Sequence, residues 1–574
     1  MNTAVRFNRR AAVFAGAALC VFFAGVSVAA PPDLTVPGTV VDTKLTYNLG
    51  PTGMRGWIYY QKPDDAPVMT RDSRQILVTS VEAGSPADGI MQVNDVIVGV
   101  NGALFSSDCR KRFGAAIGEA EAATGVLNLR VWRAGVTNNT YVPLAFTGLA
   151  YSATAPYNCP KSARILHEGC EYIKSQNDWS DVNLGAMALL ASGDPSYSSI
   201  IQTKMRAVVL SAATIELYKT GDAGVSSWNA GYKGWTMAEY YLATGDTNVL
   251  PSIEAYAVVS ARGRDTFGTF GHGLSERTGD GSLHGPASGY GPMNQATIPN
   301  IISMILAKKC GVSHPEIDPA IAVAYNFYTF YCDKGLIPYG EHVPSLTANE
   351  DNGRQALAAI MFSFDPAKSH QANYFTRMAM ASGDQREGGH TGPFFGYMWE
   401  PLGVNIGGPA AMSDYFHDLA WWYDLNRRWD GSFAYVEGDG SPEGLTYRGW
   451  TITPAVMLHF AVPQKKLYIT GKSLSPALEL TGAERAESLA ASKFTLEHAA
   501  TPKTTAQLMA ALTNFSPAVR NNWAPGYLAA DTNHPSVAQL MTWALGSDQR
   551  LAEGACATLG FLKDPSSTPA LVSL

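Results

Sequence analysis

YLATGDTNVLP, residues 241–251, closes one helix and opens another within a few positions. The apolar residues before it recur at helical spacing. Gly245 is the residue type that closes helices in the left-handed conformation, and Asp246 is a type that accepts the free N–H groups of a new helix. The same device stands in LLASGDPSY (189–197) and MASGDQREGG (380–389). Gly193 and Gly245 lie 52 residues apart, room for two helices and their connections. The chain from about 158 to 462 therefore reads as a weak repeat of helix hairpins.

Outward from this stretch the helical period continues. CPKSARILHEGCEYIKSQ, SSIIQTKMRAVVLSAATIELYKTG, PNIISMILAKKCG and IDPAIAVAYNFYTFYCDKG are further helical segments. About eleven or twelve helices fit into roughly 300 residues, the number that closes a ring of hairpins. WYDLNRRWDGSFAY (422–435) resembles the loops of terpene-cyclase-like toroids. That resemblance implies an all-α domain, an α/α toroid over 158–462, with inner helices around a funnel and long loops across one mouth. An open solenoid is the alternative.

Four segments suit such a mouth, being rich in glycine, polar and aromatic residues and poor in aliphatic ones. They are FGHGLSERTGDGSLHGPASGYGPMN (270–294), GLIPYGEHVPS (335–345), DQREGGHTGPFFGYMWEPLG (384–403) and DGSFAYVEGDGSPEG (430–444). Loops of this composition make ligand sites more readily than cores. The candidate catalytic residues are His272, Tyr290, Glu341, His342, His390 and Asp430, with Trp399 as a face on which a sugar could stack. For a glycoside hydrolase, Glu341 and Asp430 are the candidate carboxylate pair. For a polysaccharide lyase, His272, His390 or Tyr290 is the candidate base, and Asn294 or Arg354 the group that neutralises a sugar carboxylate. Trp421 and Trp422 read as core. His272, His284, His342 and His390 are donors that zinc would accept. No HExxH, CxxC, GxSxG or GxxxxGK[ST] motif is present, and the sequence demands no cofactor.

The first 30 residues read as a signal peptide: Arg6, Arg9 and Arg10, then an apolar run ending in Ala29-Ala30. The expected localisation is secreted or periplasmic, with no membrane attachment after cleavage. Losing three arginines and no acids takes the formal charge from −7 to −10. That disfavours nucleic acid as a partner. Charged residues make up only 16% of the chain, which suits an exported surface. Six cysteines remain. Cys159 with Cys170 and Cys310 with Cys332 are disulfide candidates, and buried free thiols are the alternative.

Residues 46–145 have a different texture. QILVTSV (75–81), DVIVGVNG (95–102) and GVLNLRVWRAG (125–135) are strand-like, KRFGAAIGEAEAA (111–123) is a helix, and Pro86-Ala87-Asp88 starts a short one. VEAGSPADGIMQVNDVIVGVNG (81–102) resembles PDZ domains of the bacterial periplasmic type, over about a sixth of the chain. The resemblance implies an α+β module in which a loop at Arg55, Gly56, Trp57 and Ile58 offers N–H groups to a peptide or protein C-terminus, the peptide then adding as a strand. The loop keeps only the second half of the family's hydrophobic-Gly-hydrophobic pattern.

Residues 463–481 read as a strand-like linker. Over 482–574, ACATLGFLKDPSSTPALVSL resembles HEAT-like repeats, implying an α-solenoid tail with a turn at Asp564-Pro565 and a helix from about Thr568. The signal, the PDZ-like module, IPYGEH and GHTGPFF together resemble a family of secreted bacterial proteins of unassigned function. The chain thus reads as multidomain. Two functions follow: a binding or scaffold protein gripping peptide ends, or a carbohydrate-active enzyme with its site in the toroid.

Overall fold

The computed structural model describes residues 40–41, 45–60, 70–176, 184–221, 224–387, 394–434, 446–447 and 450–573. The signal stretch 1–30 and His390 lie outside these residues.

The N-terminal unit is an antiparallel sheet with one helix. Its strands are β1 (Tyr47–Asn48), β2 (Met54–Ile58), β3 (Ile76–Val81), β4 (Val96–Val100), β5 (Ala103–Leu104), β6 (Val126–Arg133) and β7 (Val136–Pro143). They run in the order β1-β2-β3-β4-β6-β7, with β5 on β4. Helix α1 (Cys109–Ala122) covers one face, capped by Asp108. The three sequence-expected strands and the helix are present. Residues 83–90 form turns instead of the short helix expected at Pro86-Ala87-Asp88.

The helical domain comprises α2 (Pro160–Ser175), α3 (Leu184–Ser192), α4 (Ser198–Ala207), α5 (Ala212–Thr220), α6 (Ser227–Thr244), α7 (Leu250–Gly263), α8 (Asn294–Lys309), α9 (Ile317–Thr329), α10 (Arg354–Ser363), α11 (Ser369–Met380), α12 (Phe394–Asn405), α13 (Gly408–Asn426) and α14 (Ile452–Ala461). A two-residue hairpin, β8 (Thr446–Tyr447) with β9 (Trp450–Thr451), precedes α14. Contacts close on themselves: α3 packs on α6, α6 on α8, α8 on α10, α10 on α12, α12 on α14, and α14 back on α3. The remaining helices flank this cycle, α7 against α6 and α8, α11 against α10 and α12, and α2 against α14 and α3.

The helix-Gly-Asp punctuation has a defined job in this arrangement. Gly193 and Gly245 are left-handed. Asp194 and Asp246 then accept N–H groups from Ser196 and Asn248 and start a 3-10 turn leading into α4 and α7. Asp365 does the same between α10 and α11 without a glycine before it. Each of these turns carries the chain from a helix of the cycle to a flanking helix. The third expected copy differs: Gly383–Glu387 is a 3-10 segment between flanking α11 and inner α12.

Residues 463–481 are not strand-like. Pro463, Gly471 and Pro476 break the segment into 3-10 turns, and the N–H groups of Tyr468 and Ile469 end on the buried carboxylate of Glu239. The tail follows as α15 (Gly482–Ala500), α16 (Thr505–Ala511), α17 (Ala524–Ala530), α18 (Val537–Ala544), α19 (Gln549–Leu562) and α20 (Thr568–Ser573). Asp564 caps the turn between α19 and α20 at the expected place. One continuous buried core runs from Tyr47 through the helical cycle to Leu528, and α18 with α19 share a small separate one.

The sheet unit is welded to the helical domain. Gly114 and Gly118 lie one turn apart on α1, and a Cβ at either would fall 2.2 Å from the Trp421 carbonyl oxygen or 2.8 Å from Asp424 Oδ2. Their absence lets α1 lie directly on α13. Across this seam Lys161 Nζ sits 2.8 Å from both Glu121 and Asp424, and Arg427 pairs with Glu121, all buried. Arg110 grips Glu387 through two 2.9 Å bonds. The described cysteines are free thiols, so neither expected disulfide forms; Cys159 Sγ instead accepts backbone N–H groups from Ser152 and Ser162.

Candidate functional site

The glycine-rich loop between α7 and α8 is folded on itself. Its ends are tied by the Met293 N–H to the Phe270 carbonyl at 2.7 Å. Inside, Glu276 and Gly285 or Pro286 exchange backbone bonds, and His284 Nδ1 lies 3.0 Å from the Arg264 carbonyl oxygen. Gly271 has no alternative, since a Cβ there would sit 2.0 Å from the Ser288 carbonyl oxygen. Asp280 accepts from Thr278 and Ser282, which holds its carboxyl down at about 2 and marks it as a turn-former.

Against this loop lies an open cleft of about 550 Å³, lined by Gly221, Gly224, Ser226, His272, Leu274, Ser275, Glu276 and Arg277 among others. His272 is exposed at its edge and joined to two aromatic partners. The Trp228 indole donates to His272 Nδ1 at 3.2 Å. An indole N–H is donor only, so Nδ1 is the acceptor and the proton of the neutral ring is on Nε2. Nε2 lies 2.9 Å from the Tyr290 hydroxyl, which lies 2.6 Å from that of Tyr339. Met293 Sδ is within 3.2 Å of both phenols. Tyr290 itself is 65% exposed.

Two separate loops supply this cluster, 270–294 and 335–345, and Asn294 locks them together. It is wholly buried at the start of α8. Its Nδ2 donates to the carbonyls of Pro338 and Gly340, both at 2.8 Å, its Oδ1 accepts from Tyr328 at 2.7 Å, and its N–H reaches the Tyr339 carbonyl. Glu341 lies beside Gly291, and His342 follows it, its carbonyl accepting from Tyr331. His272, Tyr290, Glu341 and His342 therefore belong to one loop cluster.

The other sequence candidates go elsewhere. Asp430 caps its own turn through Ser432 at 2.6 Å, in the Arg428–Ser432 turn beside the sheet unit, where Arg428 and Trp429 hold Glu82. It makes no carboxylate pair with Glu341. Trp399 is fully buried between Trp235 and Tyr232, at ring distances of 5.3 and 5.8 Å, and offers no face to a sugar. Arg354 is buried with Nε on the Ile337 carbonyl and Nη2 on Asp351, so it neutralises nothing in the cleft. Arg55, Gly56, Trp57 and Ile58 lie inside strand β2, not in the loop before it; the turn is at Gly50–Gly53. The outer edge of β2 is already paired, Tyr47 opposite Gly56 and Asn48 opposite Arg55.

Trp228 and Tyr339 escaped the sequence reading. Trp228, Tyr232 and Trp235 stand at i, i+4 and i+7 on α6 and form a stacked aromatic column with Phe395 and Trp399 of α12. That stripe was readable as a helix face; its upper end reaching His272 was not. A second polar cluster, also missed, lies inside the cycle. Burial pushes Glu400 up to about 8, although Tyr415 and Ser382 donate to its Oε2, and it raises neighbouring Glu350 as well.

A family model described as a domain of unknown function (DUF6288) matches residues 162–471, more than half of the 574-residue chain. No curated protein and no solved structure matches it. The matched segment runs from the first turn of α2 to just past the 3-10 turn at Tyr468–Thr470, and so holds the helical cycle and both loops of the His272 cluster.

Proposed function

The chain belongs to this family of unassigned function, so from the chemistry of the site itself we propose a carbohydrate-active protein that takes a glycan chain in the cleft beside His272. In this reading the protein is exported, the sheet unit is a PDZ-like domain, the helical cycle is an α/α toroid and the tail is HEAT-like. One observation carries the reading: the hydroxyl of the exposed Tyr290 lies within hydrogen-bond distance of both Tyr339 and Nε2 of His272, which lines the cleft.

Such a phenol suits proton removal next to a carboxylate, the first half of a lyase reaction. Tyr290, acting as its phenolate, takes the proton from the carbon beside a uronate carboxylate and becomes the neutral phenol. The electron pair left behind expels the glycosidic oxygen, which leaves with a proton from water or the cleft, and a carbon–carbon double bond forms. Before the proton transfer, His272 Nε2–H and the Tyr339 hydroxyl hydrogen-bond to the phenolate oxygen and hold its charge. Arg277, in the cleft lining, faces the substrate carboxylate. Hydrolysis fits less well, because Glu276 is the one carboxylate among the described lining residues and two are needed.

The second reading is peptide binding by the PDZ-like domain. It is favoured by the edge of β2, which already accepts an antiparallel added strand, though from the chain's own Tyr47–Asn48. One set of titrations tests both. Uronate-containing and neutral glycans are followed by calorimetry and by the near-ultraviolet absorbance of unsaturated product, beside a free-carboxylate peptide and its amide. Glycan binding that Trp228→Ala weakens, with absorbance growth abolished by Tyr290→Phe, supports the first reading. Binding of the free peptide alone overturns it in favour of the second.

A further inference from the structure

Away from the cleft, the turn after α9 and the start of α11 bring together three donors of different kinds. Cys332 Sγ, an Asp333 carboxylate oxygen and a His370 ring nitrogen all lie within 4.8 Å of one another. His370 Nε2 is 2.6 Å from Asp333 Oδ2, and Cys332 Sγ is 3.7 Å from the same oxygen. Cys332 and Asp333 are adjacent in the chain; His370 comes 37 residues later. The turn after α9 and the first turn of α11 therefore cooperate in the cluster.

The carrier is held from several sides. Asp333 adopts a left-handed backbone, φ +62°, which turns it out of the helical path. Its carbonyl accepts from Arg520 of the tail at 2.5 Å, and the Gly335 carbonyl accepts from Tyr374 of α11 at 3.0 Å. Arg520 is itself paired with Glu553 at 2.8 Å. The His370 side chain is 66% exposed while Cys332 is buried, so the cluster opens to water on one side only.

A thiolate, a carboxylate and an imidazole together are the donors of a borderline transition metal, and calcium or magnesium would want oxygen alone. With metal–sulfur bonds near about 2.3 Å and metal–nitrogen or –oxygen bonds near about 2.0 Å, tetrahedral donors stand roughly 3.3 to 3.6 Å apart. The Cys332–Asp333 separation is already close to that. The His370–Asp333 contact must widen by somewhat less than about 1 Å, which a small rotation of an exposed imidazole supplies. We propose that Cys332, Asp333 and His370 form a site for one divalent ion of the zinc class, with its fourth position open to water. Binding displaces the Cys332 proton to solvent and ties α9 to α11 where the tail docks. Nothing in this argument depends on the glycan reading, and the two stand or fall separately.

The test uses the full chain, reduced and stripped with chelator, titrated with Co²⁺ as a coloured probe. The expected result is one equivalent bound, with a near-ultraviolet sulfur-to-cobalt band, visible bands of four-coordinate strength, and displacement by Zn²⁺. Cys332→Ser removes the sulfur band. His370→Ala, at an exposed position that leaves folding intact, weakens binding by about tenfold or more. The proposal is overturned by an absent sulfur band, by a band that survives Cys332→Ser, or by wild-type affinity in His370→Ala. Should Cys332→Ser fail to fold, His370→Ala alone decides.

Discussion

Replacing Asn294 by alanine should cost both stability and the site. The side chain makes three hydrogen bonds of 2.7 to 2.8 Å in a wholly buried position. Each is worth about 1 kcal/mol net, so their loss alone costs about 3 kcal/mol. The carbonyls of Pro338 and Gly340 and the hydroxyl of Tyr328 stay behind; an unpaired buried group costs about 1 to 3 kcal/mol. Water entering the vacated space satisfies part of this, which sets the expectation at about 3 to 5 kcal/mol. Typical stabilities of about 5 to 15 kcal/mol leave the variant folded. Urea unfolding followed by tryptophan fluorescence reads the shift in midpoint. The same substitution leaves residues 338–340 tied to α8 only by the backbone N–H of residue 294, so the hold of Tyr339 on Tyr290 loosens and glycan affinity should fall with the stability. A loss below about 1 kcal/mol with unchanged affinity would show that Asn294 does not hold the two loops together.

Two further substitutions test other parts of the frame. Lys161→Met leaves Glu121 and Asp424 buried around Arg427 alone and should cost about 3 to 5 kcal/mol by thermal unfolding; a cost under about 1 kcal/mol would mean that the ionic seam is not holding the sheet unit to α13. Burial pushes Glu239 up to about 7 from 4.5, against the N–H groups of Tyr468 and Ile469. Because the folded value is the higher one, folding takes up a proton between the two, and this contribution to stability is present in acid and lost as pH rises through about 7. At about 1.4 kcal/mol per pKa unit the loss is about 3 kcal/mol, and Glu239→Gln should flatten urea midpoints measured from pH 5 to 8. An unchanged slope in the variant would assign the pH dependence to other groups.

The sequence was legible wherever local chemistry decides. The strands at 75–81, 95–102 and 125–135 and the turn at Asp564-Pro565 needed only turn residues and apolar patterning, and they stand close to where expected. The 3-10 turns at Asp194 and Asp246 were legible for the same reason. Asp365 makes the same turn, but without its glycine it carried no visible signal. The site was legible as a set of loops and not as a set of contacts. His272, Tyr290, Glu341 and His342 do share one cluster, yet Trp228 joins them from a helix 44 residues away from His272. Trp399 and Asp430 were misread because composition says nothing about which side of a loop a residue faces. Trp399 sits on α12 with its ring turned inward, and Asp430 is consumed by its own turn.

The order of inner and flanking helices explains why the chain alternates tight turns with long polar loops. α3, α6, α8, α10 and α12 each leave for a flanking helix through a short connection, such as Gly193–Tyr197 or Gly245–Val249. The return into α6 runs through α5, and the later returns are longer: 264–293, 330–353, 381–393 and 427–451. Antiparallel neighbours put connections of one kind at the same end of a helix pair. The glycine-rich segments 270–294 and 335–345 lie in the first two of these longer returns, and Asn294 joins them. The sheet unit binds Asp384 and Glu387 on the return before α12 and Arg427, Arg428 and Trp429 on the return before α14. The returns carrying His272 and Tyr339 are left open beside it. The outer edge of β2 is filled and α1 is pressed onto α13, so the sheet unit acts here as a wall.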